Sequence, residues 1–431
     1  MRCWLVTIGE PVPVSPNRGD RLHRAGFLAQ LLSENGHDVT WWTSTFDHFR
    51  KNHLFKNDTT AMLNERLRVV LLHGCGYRSN MSLARLADHK LIAKKFARLA
   101  RIETESPDII LTSLPTTDLC LESVRYGKIN NIPVVLDMRD MWPDIFVDHS
   151  PKLLRPFVKS VLNPMLRSAH HACSNATAIT GITDAFVDWG LQRGNRIKSD
   201  IDRSFPHGYI SRPPSNESLH EARDYWDGLG ILADSRELIV SYIGSIGRQL
   251  DIDIIFKALD KLNGTGRSIR AVICGTGDFL EHFKRMAAGL DNIYFPGWVD
   301  SAKIHVLMRR SSVGLDPLPD RYDFLATINN KAIEYLSAGL PVISSPNTGV
   351  LAELLKNHRC GISYACGDAD ALANILANIC DNPSTLKSMS DNAYELFKKM
   401  FIAENVYTEM MEYLVHITQV KKPIAPYSSK S

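Results

Sequence analysis

The chain has 431 residues, of which 44% are apolar, 23% charged and 8% aromatic, an ordinary globular composition that excludes a collagen, a coiled coil and a wholly disordered chain. That length exceeds one compact core and predicts two domains of roughly 200 residues each. The formal charge of +3 divides unevenly, with a net +6 in residues 1–200 and a net −3 in the remainder, which points an anionic ligand or surface at the first half.

In chain order, Cys3–Ile8 reads as a strand, Gly19–Asn35 as a helix and Val39–Thr43 as a second strand. Arg66–Leu72 is a third strand and Ser82–Arg101 a long helix. Asp108–Thr112 and Pro133–Asp137 read as strands around a helix at Thr116–Asn130, followed by one helix over Leu153–Cys173 and a strand at Ala178–Ile182. Strands that are nearly continuously apolar, alternating with helices, predict a parallel sheet covered on both faces. Turn chemistry in Phe205-Pro-His-Gly-Tyr-Ile-Ser-Arg-Pro-Pro-Ser-Asn marks a boundary. Alternation restarts with strands at Leu238–Ile243, Ile269–Cys274, Ile293–Phe295, Val313–Leu315 and Val342–Ser344, and a helix from Asn330. The expected organisation is therefore α/β, with two Rossmann-like doubly wound domains facing across a cleft: residues 1–205, then 206–400. A helix at 401–418 is expected to pack back on the first domain, and 419–431 to form a disordered tail.

The second half carries the stronger chemical pattern. Strand Leu238–Ile243 runs into Gly244-Ser245-Ile246-Gly247-Arg248, and strand Ile269–Cys274 into Gly275-Thr276-Gly277-Asp278. Small residues after a parallel strand let the backbone approach a phosphate that meets a helix N-terminus, although one such loop alone is equally a tight turn. Phe295-Pro-Gly-Trp298 follows a third strand, so three loops line one sheet edge and favour a nucleotide. Asn330 is the expected N-cap of a short helix ending at Gly339. Lys331 would add charge at its start. Glu334, one turn in, is either a ribose ligand or a solvated carboxylate favoured by the helix dipole.

These segments, with Leu315-Asp-Pro-Leu318 and Lys331-Ala-Ile-Glu-Tyr-Leu-Ser-Ala-Gly-Leu-Pro-Val-Ile343, resemble in order the nucleotide-sugar half of retaining glycosyltransferases of family four. Gly19–Thr43 is similar to the opening loop and first helix of that family. Leu136-Asp-Met-Arg-Asp-Met-Trp-Pro143 resembles a variant of its bacterial surface-polysaccharide members, N-acetylfucosamine-type transferases among them. The resemblance implies the GT-B fold and a donor site formed by Gly244, Ser245, Gly247, Arg248, Gly275, Gly277, Trp298, Asn330, Lys331 and Glu334. It also implies catalytic roles for Arg139 and Asp140, the latter being alternatively a cap for the segment after it, and an acceptor side at Arg18 and Gly19. Two positions depart from the family pattern: Ala326 stands where a first glutamate is common, and Gln249-Leu250-Asp251 where many members carry a lysine.

The eight cysteines contain no Cys-x-x-Cys pair and the 15 histidines no ligand spacing, so neither a disulfide framework nor a metal is expected. Met1–Glu10 lacks the apolar core of a signal peptide, and no apolar run approaches the ~20 residues of a membrane-spanning helix. The expected location is the cytoplasm, peripheral on the inner face of the cytoplasmic membrane. Two basic amphipathic stretches, Arg85–Arg101 and Lys152–Arg167, either cover the sheet or dock on an anionic leaflet. Nucleic acid is not expected, because aromatics are not interleaved with the basic residues. The expected function is transfer of a sugar, an N-acetylhexosamine for preference, from a nucleotide (UDP-type) donor to a lipid-linked saccharide in O-antigen or capsule synthesis, without a cofactor. The rivals are a nucleotide-sugar 2-epimerase of the same fold and a non-catalytic sugar-nucleotide-binding subunit.

Overall fold

The computed structural model describes residues 1–14, 22–80, 82–210 and 213–420. Arg18 and Gly19 therefore lie outside the described residues, as does the tail from residue 421. The chain divides into two compact units, residues 1–205 with 405 onward, and residues 206–404.

In the first unit β1 (Arg2–Val6), β2 (Asp38–Ser44), β3 (Thr59–Asn64), β4 (Leu67–Leu72), β5 (Ile109–Leu114), β6 (Val134–Met138), β7 (Ala178–Gly181) and β8 (Arg203–Ser204) form one sheet. Its order is β8-β7-β6-β5-β1-β2-β4-β3. All neighbours are parallel except the edge strand β3, which runs antiparallel to β4. The central strands are mostly apolar because helices cover both faces, and Trp4, Trp41, Trp42 and Phe96 are fully buried there. The helix Ala403–Val420 packs on this unit: Tyr413 donates to the Ile201 carbonyl at 2.7 Å, and the Phe27 and Tyr407 rings lie 5.1 Å apart. It runs two residues into the expected tail.

Three local expectations change. The stretch Leu153–Cys173 is not one helix but a turn at Lys152–Leu154 followed by helices Arg155–Val161 and Asn163–Asn175. Pro156 and Pro164 each occupy the first turn of their helix, where a missing N–H costs nothing, and each would break a continuous one. The first helix begins at Arg24 rather than Gly19. Strand β3 was not expected, since its residues alternate between half-buried and exposed.

In the second unit β9 (Leu238–Ile243), β10 (Ile269–Cys274), β11 (Ile293–Gly297), β12 (Val313–Pro317), β13 (Val342–Ser345) and β14 (Gly361–Ser363) form a wholly parallel sheet. Its order, β11-β10-β9-β12-β13-β14, reverses direction between β9 and β12, which opens a crevice at their carboxyl ends. One face packs Trp226, Tyr335, Phe397 and Phe401, the other Tyr242, Ile252, Phe256 and Phe283. Both units are thus Rossmann-like.

Candidate functional site

The register of β9 on β10, with Ile243 opposite Cys274, brings the two glycine loops out side by side. Gly244 N–H donates to the Cys274 carbonyl at 3.0 Å, Ile246 N–H to Thr276 at 2.9 Å, and Gly275 N–H to Gly297 at 2.8 Å. The fit requires glycine: a Cβ on Gly275 would lie 1.8 Å from the Gly244 oxygen, and one on Gly277 2.1 Å from the Ile246 oxygen. A Cβ on Gly247 meets nothing closer than 3.8 Å. The first two glycines therefore serve backbone packing, while Gly247 has room for a side chain. Gly244, Ser245, Gly275, Thr276, Trp298 and Val299 line a pocket of about 250 Å³ at this end of the sheet. Trp298 is exposed at its rim and Ser245 is exposed beside it. Arg248 is exposed in the same loop.

The helix Asn330–Ser337 follows β12. Its N-cap is Asn329, whose side chain accepts from Ala332 N–H at 2.9 Å; Asn330, the expected cap, is the exposed first residue of the helix. Asn329 also donates to Asp316 Oδ2 at 2.6 Å, and Lys331 Nζ donates to Asp316 Oδ1 at 3.0 Å. Asp316, at the carboxyl end of β12, is fully buried. Burial opposes the Lys331 ammonium, but Asp316 and the Tyr242 ring outweigh it and hold the amine above its usual range. Asp316 thus balances the charge that Lys331 was expected to add at the start of the helix. Its chain packs 3.1 Å from the position of a Cβ on Gly244, directly beneath the first glycine loop.

Glu334 is the fifth residue of this helix, beyond the first turn, so the dipole reading does not apply. The Tyr209 hydroxyl donates to its Oε1 at 2.7 Å. Ala326 is buried, with its N–H bonded to the Tyr322 carbonyl at 3.0 Å.

In the first unit Arg139 pairs with the buried carboxylate of Glu10, whose other oxygen accepts from Ala25 N–H at 2.8 Å. Asp140 accepts from the N–H of Met141 at 2.8 Å; the N-cap position of the helix Asp144–Asp148 is Pro143, which makes no side-chain capping bond. Deeper in, Arg24 grips Asp137 through Nε at 2.9 Å and Nη2 at 3.0 Å, and Thr180 adds a bond of 2.9 Å. Burial alone would raise the Asp137 carboxyl, but Arg24 outweighs it and holds it below the usual value. Trp142 is buried against His89 and Phe146, packing its loop.

Residues 231–396 match the family described as "Glycosyl transferases group 1". The second unit carries a group 1 glycosyltransferase domain. A glycogen synthase of Mycobacterium tuberculosis is 26% identical over 170 residues, 39% of this chain and 40% of that protein, so the match spans well under half of that relative. Similarity to solved structures covers nearly the whole chain. A sucrose-phosphate synthase from Thermosynechococcus elongatus superposes with TM-score 0.68 at 18% identity, over 97% of this chain and 99% of that one. HepE from Anabaena in complex with UDP does so with TM-score 0.65 at 15% identity, over 96% and 100%. The fold is therefore α/β of the GT-B type, with a Rossmann-like unit on either side of residue 205.

Within the group 1 domain the structure gathers Gly244, Ser245, Gly275 and Trp298 on one pocket and places Asn330, Lys331 and Glu334 on one helix. Gly277 lies in the packing beneath Ile246 rather than on the pocket. Arg139 and Asp140 belong to the first unit with Glu10. Three residues that sequence reasoning did not select are Asp316, Tyr209 and Glu10; only Asp316 had a signal, an acid closing an apolar strand. The basic stretch Arg85–Arg101 buries Ile92, Ala93 and Phe96 in the first unit, and Lys95 pairs with Asp58 at 2.7 Å, so its apolar face covers the sheet. Among the described residues no group of three or more His, Cys, Asp or Glu could hold a metal ion, and no helix is long and apolar enough to cross a membrane.

Proposed function

We propose that the protein transfers a sugar, an N-acetylhexosamine for preference, from a uridine-type nucleoside diphosphate to a lipid-linked saccharide, with retention of configuration, in the synthesis of a surface polysaccharide. The observation that carries the reading is the pocket at Gly244, Ser245, Gly275 and Trp298, at the carboxyl ends of β9, β10 and β11 in a group 1 domain. A planar base fits against the exposed Trp298 face, a ribose diol is offered the Glu334 carboxylate, and the diphosphate lies along the loop at Gly244–Arg248, whose Gly244 and Ile246 N–H groups are bonded within the fold, with Arg248 beside it. The donor C1–O bond breaks, the nucleoside diphosphate leaves with the electron pair, and the acceptor hydroxyl oxygen bonds to C1 as its proton passes to the departing diphosphate. Asp140 orients the acceptor hydroxyl or steadies positive charge on the sugar ring. Solved relatives support the donor class, since HepE is described in complex with UDP and with UDP-glucose.

The test incubates the full chain with a panel of UDP-sugars, alone and with lipid-linked saccharides, and identifies products by mass. Release of UDP together with an extended lipid-linked saccharide is the expected result. An epimerised monosaccharide would establish the 2-epimerase instead. Binding of UDP-sugars without turnover on any acceptor would leave a binding subunit.

A further inference from the structure

The first unit holds a second cavity, an open groove of about 480 Å³ lined by Leu83, Arg85, Leu86, Trp142, Phe157 and Val161, among others. Its walls are mostly apolar, with Asn80, Ser82, His149 and Ser150 among them, yet Leu83, Phe157 and Val161 remain 79%, 69% and 56% exposed. An exposed apolar patch of this kind marks something that covers it. At one end stands a pair of cations. Arg85 stacks 4.3 Å over Trp142 and 5.5 Å from the Tyr77 ring centre, and Lys51 lies 5.0 Å over the same Tyr77 and hydrogen-bonds Asn80 on the groove wall. Among the described residues neither cation is ion-paired with a carboxylate. The Arg85 Nε is buried without a hydrogen-bond partner. Burial and the neighbouring Arg85 charge push the Lys51 amine below its usual value against the opposing pull of Asp47, and burial, with the same two cations, holds His48 down at about 4. Two like charges held together beside an apolar trough complement an anion that carries a long apolar chain.

We propose that this groove binds a single phosphate-headed lipid, its phosphate on Arg85 and Lys51 and its hydrocarbon chain along Leu83, Phe157 and Val161. The proposal rests on the reading of a lipid-linked acceptor and gives that acceptor a seat on this chain.

The experiment uses the full chain and follows saturable binding of geranylgeranyl phosphate below its aggregation threshold. Geranylgeraniol serves as the chain without a head, and inorganic phosphate as the head without a chain. Each fragment is expected to bind at least about tenfold more weakly than the whole, because a charge-assisted pair and the burial of a chain each contribute that much. Arg85→Gln is expected to reduce the phosphate lipid to the level of the alcohol, and Lys51→Gln serves the same purpose if Arg85→Gln does not fold. Phe157→Asp, at an exposed position, is expected to weaken both lipids. Equal binding of phosphate and alcohol, or indifference to Phe157→Asp, would overturn the proposal. So would binding to phosphatidylglycerol vesicles with none to the dispersed lipid, which would make the patch a bilayer contact. UDP affinity is measured in parallel: its absence in the wild type refutes the donor reading and leaves the groove result standing, and the reverse outcome refutes the groove alone.

Discussion

The Lys331 ammonium sits 3.0 Å from the Asp316 carboxylate and 4.3 Å over the centre of the Tyr242 ring. With Asn329 on the second carboxylate oxygen, Asp316 ties the end of β12 to the start of the helix that bears Glu334. Removing one partner of a buried pair leaves an uncompensated charge and costs roughly 3–5 kcal/mol. Asp316→Leu is expected to lower stability by that order in urea unfolding of the full chain. Adding Lys331→Met should restore a large part of it, because two apolar groups replace two charges. A double variant no more stable than the single would show that the two groups are not coupled.

The buried Arg24–Asp137 pair sets a pH dependence. Arg24 holds the Asp137 carboxyl below its ordinary 3.8, so the unfolded chain binds the proton more readily. The resulting stability is fully present above about 4 and is lost as pH falls through the lower folded value. Wild type is therefore expected to lose urea resistance below pH 4 more steeply than Asp137→Asn, which is weaker at neutrality but lacks that titration. Parallel pH profiles of the two proteins would remove the assignment.

The glycine loops separate packing from ligand contact. Gly275→Ala places a Cβ 1.8 Å from the Gly244 oxygen, whereas Gly247→Ala has 3.8 Å of room. Gly275→Ala is expected to lower thermal stability and to weaken UDP together. Gly247→Ala should leave the melting temperature unchanged, so any loss of UDP affinity there reports a direct approach of the diphosphate to the backbone. A drop in melting temperature for Gly247→Ala would assign that glycine to the fold.

Much of this frame was legible in the residues. Leu238–Ile243 and Ile269–Cys274 are each as read, because strands covered on both faces are predominantly apolar, with Ser241 and Arg270 the exceptions in these two. The edge strand Thr59–Asn64 escaped, since one side faces solvent and its run mixes Thr, Met and Asn. The break at Leu162 was written in Pro156 and Pro164, but an apolar period running through both prolines masked it. The two glycine loops at the Trp298 pocket announced themselves by glycine after a strand. By contrast, Lys51, Tyr77, Arg85 and Trp142 meet only through the tertiary fold, and nothing in their local spacing foretells the groove. The Lys331–Asp316 pair was equally hidden, since charge seen in a sequence does not reveal that a buried neighbour balances it.

Asp140 offers a cleaner chemical test. Its carboxylate accepts from Met141 N–H at 2.8 Å, a bond that an amide oxygen can also make. Asp140→Asn is therefore expected to keep the melting temperature and UDP affinity while lowering transfer by about 10²-fold or more, as for a positioned acid–base or electrostatic group. Full activity with reduced stability would make the residue a backbone cap.

Glu334 carries the most specific expectation. Its Oε1 accepts the Tyr209 hydroxyl at 2.7 Å, which fixes the carboxylate on the helix that begins at Asn330. A charged acceptor bonded to a ribose diol contributes roughly 1.5–3 kcal/mol when shielded from water. Glu334→Ala should accordingly weaken UDP by about 10- to 150-fold, with a much smaller effect on its 2′,3′-dideoxyribose analogue, which lacks the diol. Tyr209→Phe separates support from contact: it removes the bond that positions the carboxylate but keeps the carboxylate itself, so UDP should weaken by less than in Glu334→Ala. Calorimetry with both ligands on the three proteins decides the matter. If Glu334→Ala weakens the two ligands equally, the carboxylate does not bind the ribose, and its bond to Tyr209 is then a contact that serves only the packing of the second unit.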